Sequence, residues 1–250
     1  MSDRRLQEQV HIIGAGLLGT SIGLALSEKG VDVTLADQSP TAVRLAVDYG
    51  AGRAPRADDR PGLVVVAVPP DVTAATVARA LAEHPDALVT DVASVKGSVL
   101  AELHALGADV SRYLGTHPMA GRERGGPISA RADLFLGRPW VLAGHEGISY
   151  RRAGAIEDLI LDVGAVPIEM SVDEHDRSVA MVSHVPQLVA SAMAARLRTA
   201  SNGAVGLAGQ GVRDVTRIAS SDPGLWVQIL SANAEPVAQI LRGVRDDVDA

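Results

Sequence analysis

The sequence predicts an α/β domain built on a doubly wound parallel sheet, followed by an all-α domain. Three observations carry this reading. A glycine turn at Gly14 to Gly19 joins a short apolar run to a helical stretch. Short β-branched runs then alternate with helical stretches, as a sheet covered on both faces requires. Strand-like runs cease near residue 170, so the expected domains are 1–170 and 171–250, with no flexible linker between them.

In chain order, residues 10–13 are an apolar run ending at Gly14, and 20–28 carry Ile22, Leu24, Ala25 and Leu26 at spacings that suit a buried helix. Residues 31–36 read as a second strand ending at Asp37, and 40–49 as the next helix, which completes a βαβ unit. The runs 63–68 and 87–92 are two more strands around an Ala-rich helix at 72–83, and 53–62 is a loop. Further strands are expected at 113–116, 140–143 and 166–169, with a helix at 150–161. Ser171 and Glu174 fit a capping box that opens one long helix over 172–199. Glu174, His175 and Asp176 read as its solvated first turn, where acids complement the helix dipole. Residues 203–219 and 223–244 read as two more helices, the second capped by Ser221 or Asp222 with Pro223 in its first turn.

Composition excludes several classes of function. With 47% hydrophobic residues the 250-residue chain can bury substantial cores, and its longest purely apolar run, 63–68, is far too short to span a bilayer. The absence of Cys removes disulfides, thiolate metal sites and a thiol nucleophile, and agrees with a cytoplasmic setting. A net charge of -7 argues against nucleic acid and for a small-molecule substrate. His11, His84, His104 and His145 show no metal-ligand spacing, so no metal is expected.

Gly14-Ala15-Gly16-Leu17-Leu18-Gly19 is a GxGxxG at a strand-to-helix junction. Its first glycine makes the turn, the second admits a pyrophosphate and the third lets helix pack on strand. Asp37, 18 residues after Gly19, is placed to accept both ribose hydroxyls and to repel a 2′-phosphate, and Gln38 and Ser39 offer that phosphate no positive charge. The expected cofactor is NAD, with Val68 and Pro69 at the end of the third strand completing its site.

Two polar stretches follow predicted strands, where open sheets bind ligands: Asp91 to Gly97, containing Ser94 and Lys96, and Thr116-His117-Pro118-Met119-Ala120-Gly121. In the helical part, Ser183-His184-Val185-Pro186 places a proline inside a helix and frees the carbonyl of Val182. Arg213-Asp214 leads through Arg217 to the helix start at Pro223.

Taken together, these motifs resemble the prephenate/arogenate dehydrogenase family from Val10 to about Leu241. The resemblance implies a Rossmann-type domain followed by a helical domain that dimerises, with each active site between the two, and a homodimer is expected. It also implies oxidative decarboxylation of a cyclohexadiene. His117 would be the base that takes the C4 hydroxyl proton, Ser94 would hydrogen-bond His117 and the substrate hydroxyl, and Arg217 would anchor a substrate carboxylate. His184 would contact the substrate side chain, with Glu123 and Asp214 as polar neighbours. A surface pairing of Asp214 with Arg217 is the plainer alternative.

Gln187 stands where many relatives have a second His, and Val212 where many have an aromatic residue, so the wall around the substrate side chain is altered. Prephenate, arogenate and an amino-substituted prephenate all remain open as substrates. A β-hydroxyacid dehydrogenase fits less well, because its chemistry needs a lysine in the helical part and the only lysines here are Lys29 and Lys96. An inactive NAD-binding regulatory subunit is the non-enzyme alternative. Nothing before Val10 resembles a chorismate mutase, and no regulatory domain is expected after Ala250.

Overall fold

A computed structural model describes residues 4–121, 125–148 and 150–250. The chain divides into a first unit, Met1–His175, and a second, Asp176–Ala250. This division falls five residues beyond the sequence-based one because the first turn of a helix stays with the sheet unit.

The first unit opens with β1 (Val10–Ile13), α1 (Leu17–Glu28), β2 (Val33–Ala36), α2 (Pro40–Asp48), β3 (Leu63–Val66), α3 (Pro70–Glu83), β4 (Leu88–Asp91) and α4 (Gly97–Ala105). Their strands form a parallel sheet in the order β2-β1-β3-β4. Both faces are buried, which is why β3 reads as an unbroken apolar run and β1 is apolar but for the buried His11. One face packs Val10, Ile12, Leu35, Leu63 and Val65 with α1, and the other packs Val64, Val66 and Val89 with α3 and α4.

Next come β5 (Gly115–Pro118), β6 (Pro139–Gly144), α5 (Gly154–Asp162) and β7 (Val166–Ser171). They make a second sheet, ordered β5-β6-β7, in which β5 and β6 are antiparallel and β6 and β7 parallel. The four-stranded sheet is thus parallel throughout, as the sequence predicts, and the antiparallel pair belongs to the second, smaller sheet. Among the described residues a single bridge, Val89 to Tyr113, joins the two sheets. Asp162, buried at the end of α5, accepts the backbone N–H of Leu6 at 2.9 Å and the ammonium of Lys29 at 3.2 Å, tying down the start of the chain.

The second unit is helical. One helical run, Val172–Leu197, crosses from the first unit into it and consists of α6 (Val172–Val179), a π-helical turn (Ala180–His184) and α7 (Val185–Leu197). The π turn sits just before Pro186, whose missing N–H already breaks the α ladder, and Val185 N–H bonds instead to Ala180 O. The expected helix at 203–219 is three pieces, α8 (Asn202–Gly206), α9 (Gln210–Thr216) and a 3-10 turn (Arg217–Ser220), divided at Ala208 and Gly209. The expected helix at 223–244 is two, α10 (Pro223–Ala232) and α11 (Ala234–Asp249), broken at Asn233. Asp222 caps α10 by accepting from Gly224 and Leu225 N–H.

By length and composition alone the run Val172–Leu197 could cross a bilayer. Its His184 and Gln187 side chains are instead buried and hydrogen-bonded inside the helical unit, where Ala180, Val185 and Val237 form a small core. Met181, Val182, Val189 and Met193 are left exposed along the same run.

His11 on β1 makes the fold sensitive to acid. Its Nδ1 lies 2.8 Å from Thr34 Oγ1, and burial, reinforced by the neighbouring His84, lowers its pKa to about 4 against the pull of Asp59. The folded state therefore holds His11 neutral while the unfolded chain protonates it below about 6.5, so stability falls as pH drops from 6.5 and levels off near 4. Urea unfolding at pH 7 and pH 4.5 should differ by about 2 to 3 kcal/mol from this group, and His11→Val should remove that share of the acid slope.

Candidate functional site

The glycine turn lies at the carboxyl ends of β1 and β3, where the chain changes direction in the strand order and open α/β sheets form their crevice. Gly14 has φ +113°, and a Cβ there would stand 2.2 Å from Ala67 O. A Cβ on Gly19 would stand 1.9 Å from Gly14 O, so α1 can approach β1 only without a side chain at that point. Gly16 faces open space, with no atom within 4 Å of where its Cβ would be. No side chain caps α1, and the N–H groups of Leu17, Leu18 and Gly19 belong to its first turn, where a helix leaves donors without intrahelical acceptors. Val68 and Pro69 form the turn from β3 to α3, with Val68 N close to Gly14. Asp37, just past β2, accepts Ala15 N–H at 2.8 Å and Ser39 N–H at 2.7 Å, which fixes its carboxylate beside the turn. Open space at Gly16, an uncapped helix N-terminus and an oriented carboxylate together fit a dinucleotide.

Further along the sheet, His117 lies on β5, half-buried, opposite Val141 of β6. A buried polar network fixes the backbone that carries it. The Lys96 ammonium, 1% exposed, donates to the Asp91 carboxylate and, at 2.7 Å, to Thr116 O, the carbonyl preceding His117. Tyr113 Oη donates to Asp91 Oδ2 at 2.6 Å, and Thr116 Oγ1 to Asp91 O at 2.8 Å. This network fills the space a side chain at Gly115 would need: a Cβ there would lie 2.8 Å from Tyr113 Oη. Ser94 occupies the turn between β4 and α4, half-buried.

Nδ1 of His117 lies 2.9 Å from Nε2 of His175, and the two rings meet edge to face. His175 is therefore not part of a solvated turn: it is fully buried, and Asp176 nearly so. Ser171 Oγ accepts Glu174 N–H at 3.2 Å, so the cap forms while the residues behind it turn inward. A signal was present, because His175 and Asp176 fall on the same helical stripe as buried Val179 and Ala180. Lys96 and Asp91 were equally legible as motif members but not as the support of His117.

In the second unit, His184 is buried, with Nδ1 3.0 Å from Asn233 Nδ2 and its ring edge-on to Trp226. Gln187, also buried, donates from Nε2 to Ile218 O at 3.0 Å, pinning the turn that carries Arg217. Arg217 is exposed and makes no ion pair among the described residues. Asp214 does not pair with it, since its carboxylate accepts from Gln210 Nε2 at 2.6 Å. Glu123 lies outside the described residues. Among those described, no cluster of three or more His, Asp or Glu could hold a metal ion.

Fold and glycine turn define a dinucleotide-binding α/β protein with an appended helical unit. Comparison with known proteins is more specific. A family model described as the prephenate dehydrogenase nucleotide-binding domain matches residues 22–169, and one described as the prephenate dehydrogenase dimerization domain matches 171–250. The chain belongs to the prephenate dehydrogenase family. It is 40% identical over 238 residues to a probable prephenate dehydrogenase, NovF, of Streptomyces niveus, covering 95% of this chain and 66% of that protein. It is 28% identical over 247 residues to prephenate dehydrogenase of Bacillus subtilis, covering 93% and 66%. The chain thus spans just under two thirds of the length of these relatives. Prephenate dehydrogenase from Aquifex aeolicus, solved with hydroxyphenyl propionate and NAD+, superposes with a TM-score of 0.86 at 28% identity, covering 97% of this chain and 88% of the other.

The network beneath His117 predicts a large stability effect. Lys96→Met would leave the Asp91 carboxylate buried without its cation, at a cost of about 3 to 5 kcal/mol. Urea unfolding should show a lowered midpoint at unchanged m-value, and adding Asp91→Asn should recover part of the loss.

Proposed function

We propose that this chain is an NAD-dependent prephenate dehydrogenase that converts prephenate to 4-hydroxyphenylpyruvate, with residues 1–170 binding the cofactor and 171–250 contributing substrate contacts and the dimer interface. The observation that carries the reading is His117: an imidazole held at both its backbone and its ring, in a chain whose two halves both match the family. Oxidised NAD, when bound, supplies the hydride acceptor. Gly14, Gly16, Leu17, Leu18, Gly19, Val68 and Pro69 hold its pyrophosphate side, and Asp37 its ribose hydroxyls.

His117, as neutral imidazole, takes the proton from the C4 hydroxyl of the substrate as that carbon becomes a carbonyl in the making. Departure of the ring carboxylate as carbon dioxide then leaves an aromatic ring, which drives the reaction. Ser94 orients the hydroxyl, and Arg217 clamps a substrate carboxylate through its guanidinium fork. His184 meets the substrate side chain, with Glu123, Asp214 and Gln187 as polar neighbours. A homodimer covers the exposed apolar residues of the long helical run, Met181, Val182, Val189 and Met193. Arogenate and a 4-amino-substituted prephenate are the competing substrates, since Gln187 and Val212 depart from the family pattern where the side chain is read.

Three measurements test this reading. A panel of prephenate, arogenate and the 4-amino analogue, each with NAD and NADP, should give the fastest cofactor reduction with prephenate and NAD; no turnover with any pair would refute it. His117→Asn should lower kcat by about 10²- to 10⁴-fold at unchanged NAD affinity, as loss of a general base does. Arg217→Ala should act mainly through KM, and unchanged KM and kcat would remove it from the site.

A further inference from the structure

The most deeply buried ionisable side chain touching His117 is one to which the proposed mechanism gives no task. His175 is 0% exposed, and its Nε2 stands 2.9 Å from His117 Nδ1. Its position is set rigidly. β7 runs into α6 with no intervening residue, Ser171 caps that junction, and the ladder aligns His117 with Val141 and Val141 with Ile168. The strand bearing His117 and the helix turn bearing His175 are therefore two parts of one sheet-anchored frame.

Between two imidazole nitrogens at this distance, one must carry the proton and the other must accept it. The choice decides what His117 can do. If His175 donates, a neutral His117 keeps its proton on Nε2 and cannot accept another there. If His117 donates from Nδ1, its Nε2 carries the lone pair and becomes the basic nitrogen. The imidazolium formed after proton uptake then retains its hydrogen bond to His175, so the contact survives the reaction unchanged.

We infer that His175 is a positioning residue for His117, accepting the Nδ1 proton through Nε2 and so fixing the tautomer in which His117 Nε2 acts as the base. The inference rests on the reading of His117 as the base and assigns a task to a residue outside the family motifs that the sequence displays. It places a neutral imidazole in the role a buried carboxylate plays in other proton-transfer pairs, without adding a second negative charge near an anionic substrate.

Substitution separates this role from simple packing. His175→Leu removes the acceptor at similar volume, whereas His175→Gln can place Oε1 where Nε2 stood. The leucine variant should lose at least about 10-fold in kcat with little change in KM or NAD affinity, and the glutamine variant should restore most of that loss. In a His117→Asn background the same leucine substitution should have no further effect, because a residue acting only through His117 has nothing left to position. Nitrogen-15 spectra of the histidines, recorded on the protein alone, should show His117 protonated at Nδ1 in wild type and shifted toward Nε2 in His175→Leu.

Wild-type His117 protonated at Nε2 would overturn the inference even if the leucine variant failed to fold. So would full turnover in His175→Leu, or an undiminished loss in the His117→Asn background. If His117→Asn itself kept full turnover, the base assignment would fall and this role with it. If His117→Asn were inactive while His175→Leu were normal, only the positioning role would fall.

Discussion

The buried Lys96 ammonium holds the first unit's site together, because it lies where the backbone ladder gives out. β4 and β5 belong to different sheets, and among the described residues only the Val89 to Tyr113 bridge pairs the chain across that seam. Beyond the bridge, side chains set the register: Lys96 reaches Thr116 O, Tyr113 reaches Asp91, and Thr116 Oγ1 reaches the Asp91 carbonyl. Burying two opposite charges stabilises a fold little compared with an apolar pair of equal volume. What the ion pair does that a leucine pair would not is aim donors at a particular carbonyl. That carbonyl belongs to the peptide leading into His117, so the geometry of the ring follows from a charge pair several ångströms below it.

The cofactor side of the same unit follows a different logic, in which the essential atoms are those that are missing. Side chains at Gly14 and Gly19 would collide with Ala67 O and Gly14 O, which would push β3 and α1 away from the turn. At Gly16 the space is left open for something other than protein. Asp37 completes the arrangement with charge in place of space. Each of its oxygens is already oriented by a backbone N–H, yet a carboxylate oxygen has a second lone pair to offer a ribose hydroxyl. A carboxylate fixed in this way cannot swing aside for a 2′-phosphate, which is the physical basis for assigning NAD.

How far the chain could be read in advance depended on what kind of signal each feature left. β1 to β4 are legible because buried parallel strands leave short runs rich in Val, Ile and Leu between helical periods, broken only by His11, Thr34, Thr90 and Asp91, and the glycine turn because its glycines answer separate steric demands. The antiparallel pairing of β5 with β6 left no mark, since direction is a property of connections and not of composition. The break at Asn233 was invisible for a related reason: it serves a tertiary contact, donating to Asp176 O, which helix propensity does not register. Charge conceals the burial of His175 in the sequence. Flanking acids made the turn resemble a solvated helix start, and the buried stripe running through Val179 and Ala180 was the better guide.

The Asn233 contact also settles the protonation of a second histidine. Asp176 O can only accept, so the nitrogen 2.8 Å away must be the amide Nδ2, and that fixes which way the Asn233 side chain points. The same nitrogen lies 3.0 Å from His184 Nδ1, and its remaining hydrogen makes Nδ1 an acceptor. A neutral His184 must then carry its proton on Nε2, the reverse of the tautomer inferred for His117. The two histidines thus differ in the ring nitrogen their neighbours leave with the proton: Nε2 in His184, and Nδ1 in the tautomer inferred for His117. The broken helix at Asn233 and the π turn at Ala180–His184 are the local departures from regular structure that bring the supporting groups of His184 together.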